Sequence, residues 1–395
     1  MSRRTVLPGS TSADGRPATL GVMGGGQLGR MFVQAAQRMG YLTAVLDPDP
    51  TSPAGLVSPY HIQADYLDEQ GLAQLMQRSS AITTEFENVP AAALVTLGSQ
   101  RPVAPSADAV AICQDRVLEK AHFRLSGVPC APHAVITAPA ELQAVPDELL
   151  PGILKTARMG YDGKGQVRVS TRAELQAAWD GLEQAPCVLE ALLPLEREIS
   201  VVLARSSQGE VVSFPVQENL HRQGILAVTQ VPAPHVPQAL QQQALDAARV
   251  LAHSMNYVGV LCVEFFVLQD GRLVANEMAP RPHNSGHYTV DACDVSQFDL
   301  QVRTLAGLPL VQPTLLAPAV MLNLLGDVWF DAAGAARTPP WADVLSVPGV
   351  HLHLYGKLSA RKGRKMGHLT VTAGTPEQAR ERALQACSLL GLPAF

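Results

Sequence analysis

The sequence predicts a mixed α/β and α+β fold that is divided into two or three subdomains. Its residues are 47% hydrophobic, which is enough for a large buried core. At 395 residues, however, the chain is too long to form one ordinary core. From Thr19, a strand, a glycine turn, a helix and a second strand follow one another, as in the βαβ start of a parallel sheet. Two later apolar runs meet at Asp270-Gly271, which indicates an antiparallel hairpin.

Composition and charge favour a soluble globular enzyme. The net charge of −5 disfavours a general nucleic-acid binder, because neutralising phosphates needs a basic face. The six cysteines are scattered without a Cys-x-x-Cys pair, so they indicate reduced thiols and neither a zinc site nor a disulfide scaffold. No apolar run is long enough to span a membrane. We therefore expect a cytoplasmic protein with no nucleic-acid or membrane partner.

The N-terminal part predicts a parallel sheet whose strand ends carry polar residues. Residues 1–18 lack the apolar segment of a signal peptide, and we expect a disordered tail there. A helix is expected over 28–39, with strands over 43–46 and 81–84. Glu85 and Glu87 follow the last strand, where ligands of open α/β sheets gather. A single helix opened by Ser106 or Asp108 is expected next, carrying Arg116 and Lys120.

The first glycine run, from Gly24 to Gly29, satisfies the G-x-G-x-x-G pattern of dinucleotide-binding folds. Asp47 follows at about the spacing of the ribose-binding acid in that pattern. Taken alone, the pattern indicates an NAD-dependent oxidoreductase. The glycines, however, only permit a tight turn and the close approach of some anion to a helix N-terminus. The run therefore defines a βαβ turn and leaves its ligand open.

A second glycine-rich loop, residues 160–166, lies between two strands and follows Lys155. Three glycines allow its backbone N–H groups to fold over a polyphosphate, while Lys155 on the preceding strand supplies a fixed cation. No Ser or Thr follows its Gly-Lys pair and no helix begins there, so it is not a Walker A loop. A flexible hairpin turn is the alternative interpretation.

Two glutamates are predicted to oppose each other in the later hairpin. If Asp270-Gly271 forms a two-residue turn, counting back places Glu264 opposite Glu277, with Cβ atoms ~5 Å apart. Their neighbours are apolar, and two buried carboxylates must share a proton or bind a cation. Oxygen ligands favour magnesium or calcium, and magnesium completes its shell with water and substrate phosphates.

A rigid polar loop follows Glu277. Arg281 is placed to hold an oxyanion, whereas His283 and His287 have the spacing of a zinc helix. Pro282 and Gly286 argue against a helix, so hydrogen bonding to substrate or within the loop is the favoured interpretation. Further along, five cations offer a site for a phosphate group: Lys357, Arg361, Lys362, Arg364 and Lys365. For Arg361, Lys362 and Lys365, a solvent-exposed basic loop is the alternative interpretation.

Taken together, these motifs resemble those of an ATP-grasp enzyme, and among such enzymes the 5-(carboxyamino)imidazole ribonucleotide synthase family. The matching motifs lie at residues 24–31, 155–166, 281–287 and 355–357, and the resemblance covers nearly all of the chain except the N-terminal tail. The resemblance implies an ATP-grasp fold with an N-terminal Rossmann-like (pre-ATP-grasp) domain and a small C-terminal β-rich domain. The implied boundaries are a tail over 1–18, the N-terminal domain over 19–110, a small ATP-grasp subdomain over 111–190, a large subdomain over 191–310 and a segment completing the large domain over 311–395.

The same resemblance implies the site residues. The ATP-binding set comprises Arg116, Lys155, Gly160, Tyr161, Asp162, Gly163, Lys164, Gly165, Gln166, Glu190, Ala191, Leu192, Leu193, Glu198, His221, Asn276 and Glu277. Within it, backbone groups of 190–193 bind adenine and Glu198 binds the ribose. Glu264 and Glu277 bind Mg²⁺, for which two sites are expected. The substrate-binding set comprises Gly26, Gln27, Leu28, Glu85, Glu87, His283, Asn284, Ser285, Lys357 and Arg364. The catalytic residues implied are Lys155, Asp162, Arg281 and Lys357.

The implied activity is the carboxylation of 5-aminoimidazole ribonucleotide on its exocyclic amine with ATP and bicarbonate, through carboxyphosphate, in purine (IMP) biosynthesis. A homodimer with small-molecule substrates is expected. Three alternatives stay open at this point. One is another ATP-grasp ligase such as the formate-dependent glycinamide ribonucleotide transformylase, the second an NAD-dependent oxidoreductase, and the third a nucleotide-binding regulatory module without catalysis.

Overall fold

The strands of this protein fall into three sheets within the part of the chain that the computed structural model describes, residues 5–11, 15–160 and 164–395. The first sheet is parallel, with strand order β3-β2-β1-β4. Its strands are β1 (Thr19–Met23), β2 (Leu42–Leu46), β3 (Tyr60–Ile62) and β4 (Ala81–Thr84). The helices around it are α1 (Gln27–Arg38), α2 (Glu69–Arg78), α3 (Ala91–Gly98) and α4 (Ala107–Gln114), with a 3-10 turn at Gly55–Val57. The predicted βαβ start is confirmed.

The helix expected to continue from Ser106 through Lys120 is two helices. Ser106 caps α4 by accepting from the Ala109 N–H, and α5 (Arg116–Leu125) begins only two residues after α4 ends. Asp115 between them has an extended backbone (φ −127°, ψ 110°), and its side chain accepts from the Val117 N–H. This new N-cap places Arg116 in the first turn of a separate helix.

Part of the expected disordered tail is held against the molecule. The Val6 N–H donates to the Ala306 carbonyl at 2.9 Å, and the Tyr41 hydroxyl donates to the Val6 carbonyl at 2.7 Å. Thr11 and Pro17 form an isolated antiparallel bridge. The described residues 5–11 and 15–18 therefore depart from that expectation, because Val6 pairs with the end of a later helix and with Tyr41, and the segment pairs with itself.

The second sheet is small and antiparallel, with order β5-β8-β6-β7. Its strands are β5 (His133–Ile136), β6 (Gly152–Thr156), β7 (Gln166–Val169) and β8 (Cys187–Ala191). Helices α6 (Pro139–Gln143) and α7 (Arg172–Gly181) and a 3-10 turn (Asp147–Leu149) accompany it. The side chains of Leu154, Leu175 and Trp179 form its core. The glycine-rich loop joins β6 to β7, as the sequence predicts.

The third sheet is large and antiparallel, and it runs on into the C-terminal segment. Its order in the described chain is β14-β13-β9-β11-β12-β15-β17-β16, with β10 paired to β9. The strands are β9 (Leu195–Arg205), β10 (Val211–Ser213), β11 (Gln217–Arg222), β12 (Ile225–Val231), β13 (Gly259–Leu268), β14 (Leu273–Ala279), β15 (Ala319–Leu325), β16 (Val350–Leu354) and β17 (Lys365–Thr372). Because β12 pairs with β15, the last three strands extend this sheet.

Helices cover this sheet and connect it to the first one. They are α8 (Gln238–Ser254), α9 (Thr289–Ala292), α10 (Gln297–Ala306), α11 (Trp341–Leu345) and α12 (Pro376–Leu390), with 3-10 turns at Asn284–Gly286 and Gly326–Trp329. Phe32 of α1 lies in one hydrophobic cluster with Phe298 and Val302 of α10 and with Tyr355. This shared core fixes the carboxyl ends of the parallel strands opposite the large sheet.

Candidate active site

A cavity of about 840 Å³ lies where the parallel sheet, α5, the β13–β14 hairpin and the loop after β16 meet. Many of the predicted site residues line it: Gly26, Gln27, Leu28, Glu85, Glu87, Arg116, Gly160, Lys164, Glu264, Glu277, Arg281, His283, Asn284, Lys357 and Arg364. Segments that are far apart in the sequence thus share one cavity.

The glycine turn after β1 is closed by a carboxylate of the protein itself. Glu85 accepts the backbone N–H of Gly26 at 2.7 Å and that of Gly29 at 2.9 Å. A Cβ at Gly26 would overlap Glu85 Oε1. Burial raises the pKa of Glu85, although the two N–H donors oppose the rise. Because Glu85 fills the helix N-terminus where a dinucleotide pyrophosphate would bind, the geometry argues against an NAD site.

Cations of the C-terminal segment reach the same end of the cavity. Lys357 Nζ donates to Gln27 Oε1 and to the Lys365 carbonyl, each at 2.6 Å. Arg364 donates to the Ser359 carbonyl at 2.9 Å, which orients its guanidinium in the loop before β17. Positioned cations beside a glycine turn suit the phosphate of a ribonucleotide.

Arg281, the expected oxyanion ligand, pairs with Glu87. Arg281 Nε donates to Glu87 Oε2 at 2.5 Å. Burial alone would raise the pKa of Glu87, but the positive charge of Arg281 outweighs burial and lowers it. The Gln114 amide donates to the carbonyls of Glu87 and Val89 and so holds the loop after β4. Both ions of this pair face the cavity.

The two glutamates predicted to oppose each other do so, since Glu264 of β13 pairs with Glu277 of β14. The hairpin that joins them differs from the expected two-residue turn. The Leu268 N–H donates to the Arg272 carbonyl at 2.9 Å, and Gly271 has φ +80°. These features describe a three-residue loop with glycine in the left-handed position.

A bulge restores the predicted pairing. Phe265 faces Ala275, whereas Glu264 faces Glu277, so Asn276 is the extra residue on β14. The three-residue loop shifts the ladder by one residue and the bulge shifts it back. The prediction of the pair is confirmed, while the register assumed along the rest of the hairpin was wrong.

The two carboxylates differ in exposure, contrary to the expectation that both are buried. The Glu264 side chain is 10% exposed and the Glu277 side chain is 46% exposed. Burial and the charge of Glu277 raise the pKa of Glu264 to about 7. His283 Nε2 lies 3.3 Å from Glu264 Oε1. Burial and the nearby Arg281 hold the pKa of His283 well below its ordinary value, so this imidazole is neutral.

The donor atoms at this pair fit a magnesium ion. Asn276 Oδ1 is buried and has no hydrogen-bond partner among the described residues. With the two carboxylates it forms an oxygen-only set, which suits Mg²⁺. A cation would also relieve the repulsion that raises the pKa of Glu264.

Arg116 connects the metal pair to the ends of the glycine-rich loop. Its guanidinium donates to the carbonyls of Thr156 at 3.1 Å and Gly160 at 3.3 Å. The same group lies 3.8 Å from Glu277 Oε2. Thr156 donates its N–H to the Gly165 carbonyl, which closes the loop at its base. Tyr161, Asp162 and Gly163, which the sequence assigns to ATP binding, lie outside the described residues.

A buried cluster of ions lies beyond the cavity wall, on the small sheet. Lys155 Nζ is 3.0 Å and Lys120 Nζ 3.2 Å from the Glu190 carboxylate. Burial alone would raise the pKa of Glu190, but the two lysine charges outweigh burial and lower it to about 2. Lys120 also donates to the Asn276 carbonyl at 2.8 Å, so this cluster contacts β14, the strand that carries Glu277. It therefore carries one surplus positive charge beside the site predicted for ATP.

The stretch predicted to bind adenine continues from β8. The N–H groups of Ala191 and Leu192 donate to the carbonyls of Pro132 and Pro151, each at 2.9 Å. Because these two N–H groups already donate within the protein, they are not available to adenine. Within 190–193, the predicted contacts with adenine would therefore come from Leu193 and from backbone carbonyls. Gln166, also assigned to ATP, pairs with Lys155 across the β6–β7 hairpin.

Glu198 and His221 lie on the neighbouring strands β9 and β11. Their charged atoms are 2.5 Å apart, without the angular geometry of a hydrogen bond. Burial alone would lower the pKa of His221, but its direct contact with the Glu198 carboxylate, followed by the negative charge of Glu264, raises it to about 9. His221 therefore carries a positive charge at neutral pH. A ribose hydroxyl and a phosphate oxygen would find an acceptor and a donor at this pair.

Two residues of the loop after β14 differ from the expectation. Ser285, predicted to bind substrate, is fully buried behind the cavity, where its hydroxyl lies 2.8 Å from Ser200 Oγ and 2.9 Å from His283 Nδ1. It supports His283 and does not face the cavity. His287 stacks on His368 with ring centroids 4.7 Å apart, so it points away from His283. A zinc site shared by His283 and His287 is excluded by this arrangement.

Two residues of α5 that were not predicted to belong to the site contact it, although Lys120 was expected on this helix. Lys120 pairs with Glu190, and Glu119 accepts the Met278 N–H at 2.5 Å, directly after Glu277. Burial raises the pKa of Glu119 to about 8. The available clue was spacing, because Arg116, Glu119 and Lys120 fall at i, i+3 and i+4 on one helix face.

The fold and this site together define an ATP-grasp ligase. Matching family models are the ribonucleotide synthetase preATP-grasp domain over residues 18–114, the ATP-grasp domain over 121–298 and the phosphoribosylaminoimidazole carboxylase C-terminal domain over 319–382. In the described residues, no helix combines the length and the apolar character needed to cross a bilayer.

The chain belongs to the N5-carboxyaminoimidazole ribonucleotide synthase family. It is 41% identical over 371 residues to that enzyme of Bacillus subtilis, covering 94% of this chain and 93% of the relative. It is 44% identical over 380 residues to that of Brucella melitensis, covering 94% and 98%. The Aspergillus clavatus enzyme, solved with ADP and 5-aminoimidazole ribonucleotide, is 32% identical with a TM-score of 0.85, covering 95% and 99%. These relatives favour this family over the transformylase and oxidoreductase alternatives.

Proposed function

We propose that this protein carboxylates 5-aminoimidazole ribonucleotide on its exocyclic amine, consuming ATP and bicarbonate and releasing ADP and phosphate. One observation carries the proposal: the Glu264–Glu277 pair and the Lys357 side of the glycine turn line the same cavity. The carboxylates suit a metal-bound nucleotide, and the cations suit a ribonucleotide phosphate. The structure of the Aspergillus clavatus relative in complex with ADP and 5-aminoimidazole ribonucleotide supports the binding of both a nucleotide and a ribonucleotide.

Glu264 and Glu277, with Asn276 beside them, would hold Mg²⁺. When bound, the ion would neutralise charge on the phosphates of ATP. The protein contributes Lys155 and Lys120 on the other side, where Glu190 offsets only one of their two charges. A polyphosphate would supply the missing negative charge.

In the proposed reaction, a bicarbonate oxygen attacks the γ-phosphate in line and ADP leaves. Lys155 and Arg116 stabilise the charge that spreads over the transferring phosphoryl oxygens. The product, carboxyphosphate, is an acyl phosphate that must be kept from water, which gives the loop over 160–166 its purpose. Arg281 and the neutral His283 would hold it within the cavity.

Carboxyphosphate then yields carbon dioxide and phosphate beside the substrate amine. The amine nitrogen forms a bond to the carbon, and the released phosphate takes the proton that the amine loses. Lys357, fixed by Gln27 and by the Lys365 carbonyl, would position the ribonucleotide for this step. No covalent enzyme intermediate is required. A homodimer, implied by the resemblance, and a cytosolic location, expected from the scattered cysteines, are further parts of the proposal.

Phosphate release is the assay for this proposal. ATP and Mg²⁺ are supplied with and without 5-aminoimidazole ribonucleotide, in bicarbonate-supplemented and in carbon-dioxide-depleted buffer. Release that requires both the ribonucleotide and bicarbonate is expected. Release supported equally by formate, or indifferent to the ribonucleotide, would contradict the substrate assignment.

A further inference from the structure

A cluster of histidines lies on one face of the C-terminal strands, outside the active-site cavity. His353 of β16 and His368 of β17 are direct cross-strand partners. Asp291 of α9 lies over them, with its Oδ2 atom 2.8 Å from His353 Nε2. None of these three residues lines the cavity. The cluster therefore joins the loop region after β14 to the C-terminal strands.

The ligand atoms of these three residues are close enough to share one ion. One oxygen or nitrogen from each of Asp291, His353 and His368 lies within 4.8 Å of the others. His351 Nδ1 is 3.7 Å from the second carboxylate oxygen of Asp291. It stands on the same face of β16, two residues before His353. His351 Nδ1 is thus available as a fourth ligand atom, from a side chain that is 42% exposed.

Buried polar atoms beside the cluster lack hydrogen-bond partners. They are His368 Nε2 and Thr370 Oγ1, and both residues are fully buried. Thr370 is the cross-strand partner of His351, so both atoms lie along the same two strands. Among the described residues nothing satisfies them, and such grouped orphan atoms in a folded protein indicate a bound water or ion.

The surroundings of His368 prepare it as a ligand. Its Nδ1 lies 2.9 Å from the Tyr355 hydroxyl. If this nitrogen donates to Tyr355, Nε2 presents its lone pair, as in histidines that bind metals while the other nitrogen is held by a second group. Burial holds the pKa of His368 well below its ordinary value, so the ring stays neutral.

We propose that Asp291, His353 and His368 bind a divalent transition-metal ion of the zinc type, with His351 or water completing the shell. Imidazole nitrogens with one carboxylate suit Zn²⁺, whereas Mg²⁺ and Ca²⁺ prefer oxygen ligands. The ion would cross-link α9 to β16 and β17. Its role is structural, because the cluster lies outside the cavity that holds the Glu264–Glu277 pair.

One ring must turn for the ion to enter. The rings of His353 and His368 are nearly parallel, 11° apart with centroids 4.5 Å apart. Ring nitrogens direct their lone pairs in the ring plane, so parallel stacked rings do not point at a common ion. The His353 side chain is 28% exposed and has room to rotate, exchanging its contact with Asp291 for the shared metal.

The test is calorimetric titration of Zn²⁺ into the full-length protein stripped with a chelator, in buffer with excess Mg²⁺. We expect one tight site that weakens at least tenfold in His353→Gln and in Asp291→Asn. The matched control is His235→Gln, which removes another histidine paired with a carboxylate, Glu218, at 2.9 Å. The control should bind like the wild type.

Two further measurements distinguish loss of the zinc site from misfolding of the variant. Thermal unfolding should show that Zn²⁺ raises the melting temperature of the wild type and of His235→Gln but not of His353→Gln. Phosphate release by His353→Gln in Mg²⁺ alone should stay within about twofold of the wild type, which shows that the variant folds. Zinc binding by His353→Gln as tight as by the wild type, or no site in the wild type, would overturn the proposal.

Discussion

Glu264 and Glu277 face each other across one hairpin, yet the Glu264 side chain is 10% exposed and the Glu277 side chain 46%. The bulge at Asn276 sets them opposite each other. The inner carboxylate is held between the hairpin and neutral His283, while the outer one is 3.8 Å from Arg116. A cation between them would have one ligand in the protein interior and one ligand that is half-exposed beside Arg116.

Removing either carboxylate should abolish turnover. Glu264→Gln and Glu277→Gln keep the size of the side chain but lose a charge that the metal needs, so phosphate release should fall at least about 100-fold. Glu196→Gln is the control, since Glu196 is 44% exposed and forms an ion pair with its neighbour Arg197 on β9. Turnover by Glu277→Gln within tenfold of the wild type would remove this pair from the site.

Metal affinity should rise with pH. The pKa of Glu264 is raised to about 7, above its ordinary value of 4.5, so the carboxyl is largely protonated below pH 7 and must lose a proton to bind a cation. Mn²⁺ binding to the nucleotide-free protein, followed by electron paramagnetic resonance, should weaken by up to about tenfold per pH unit below pH 7.

Using nucleotide-free protein avoids titration of the ATP phosphates. Glu264→Gln should bind Mn²⁺ weakly and with little pH dependence over the same range. An affinity in the wild type that is constant from pH 6 to pH 8 would contradict the raised pKa.

The stability of the protein should depend on Glu190, which neutralises one of two buried lysine charges. In Glu190→Gln, Lys120 and Lys155, with side chains 1% and 9% exposed, lose their counter-charge. The free energy of unfolding in urea should fall by about 3 kcal/mol, and added ATP should recover part of the loss because its phosphates replace the charge. Asp246→Asn, which removes an exposed ion pair to Arg249, should cost less than about 1 kcal/mol. Equal losses in the two variants would contradict the cluster's role.

The glycine turn should tolerate no side chain. A Cβ at Gly26 would overlap the Glu85 carboxylate and displace it from the N-terminus of α1. Gly26→Ala should therefore raise the KM for the ribonucleotide at least about tenfold and leave the KM for ATP within about twofold. Gly181→Ala, at a glycine with open space around it, is the control. A raised KM for ATP alone would assign this turn to the nucleotide.

Local patterns in the sequence were sufficient to predict strand β4 and the opposed Glu264–Glu277 pair. Strand β4 matches its predicted bounds, β2 begins one residue earlier than predicted, and Glu264 does face Glu277. The turn type was not predictable, because Asp270-Gly271 also suits a three-residue loop with glycine left-handed. The bulge at Asn276 that cancels this error has no local sequence pattern.

Contacts between segments that are far apart in the sequence could not be predicted from local patterns. Lys120 of α5 and Glu190 of β8 are far apart in the sequence, and only tertiary packing brings their charged atoms within 3.2 Å. His368 and Asp291 likewise meet through the packing of α9 on β17. Ser285 belongs to a motif that the family resemblance assigns to substrate, but its place behind His283 follows from the fold of the loop.

The most direct test of the proposed function is the fate of the carbon atom. The full-length protein is given ¹³C-bicarbonate, ATP, Mg²⁺ and 5-aminoimidazole ribonucleotide, and the mixture is followed by ¹³C NMR while ADP is measured. We predict a new carbamate carbon on the exocyclic nitrogen, formed in a one-to-one ratio with ADP and absent in Glu277→Gln. ADP formed without any carbon attached to the ribonucleotide, or label appearing only when ¹³C-formate replaces bicarbonate, would contradict it.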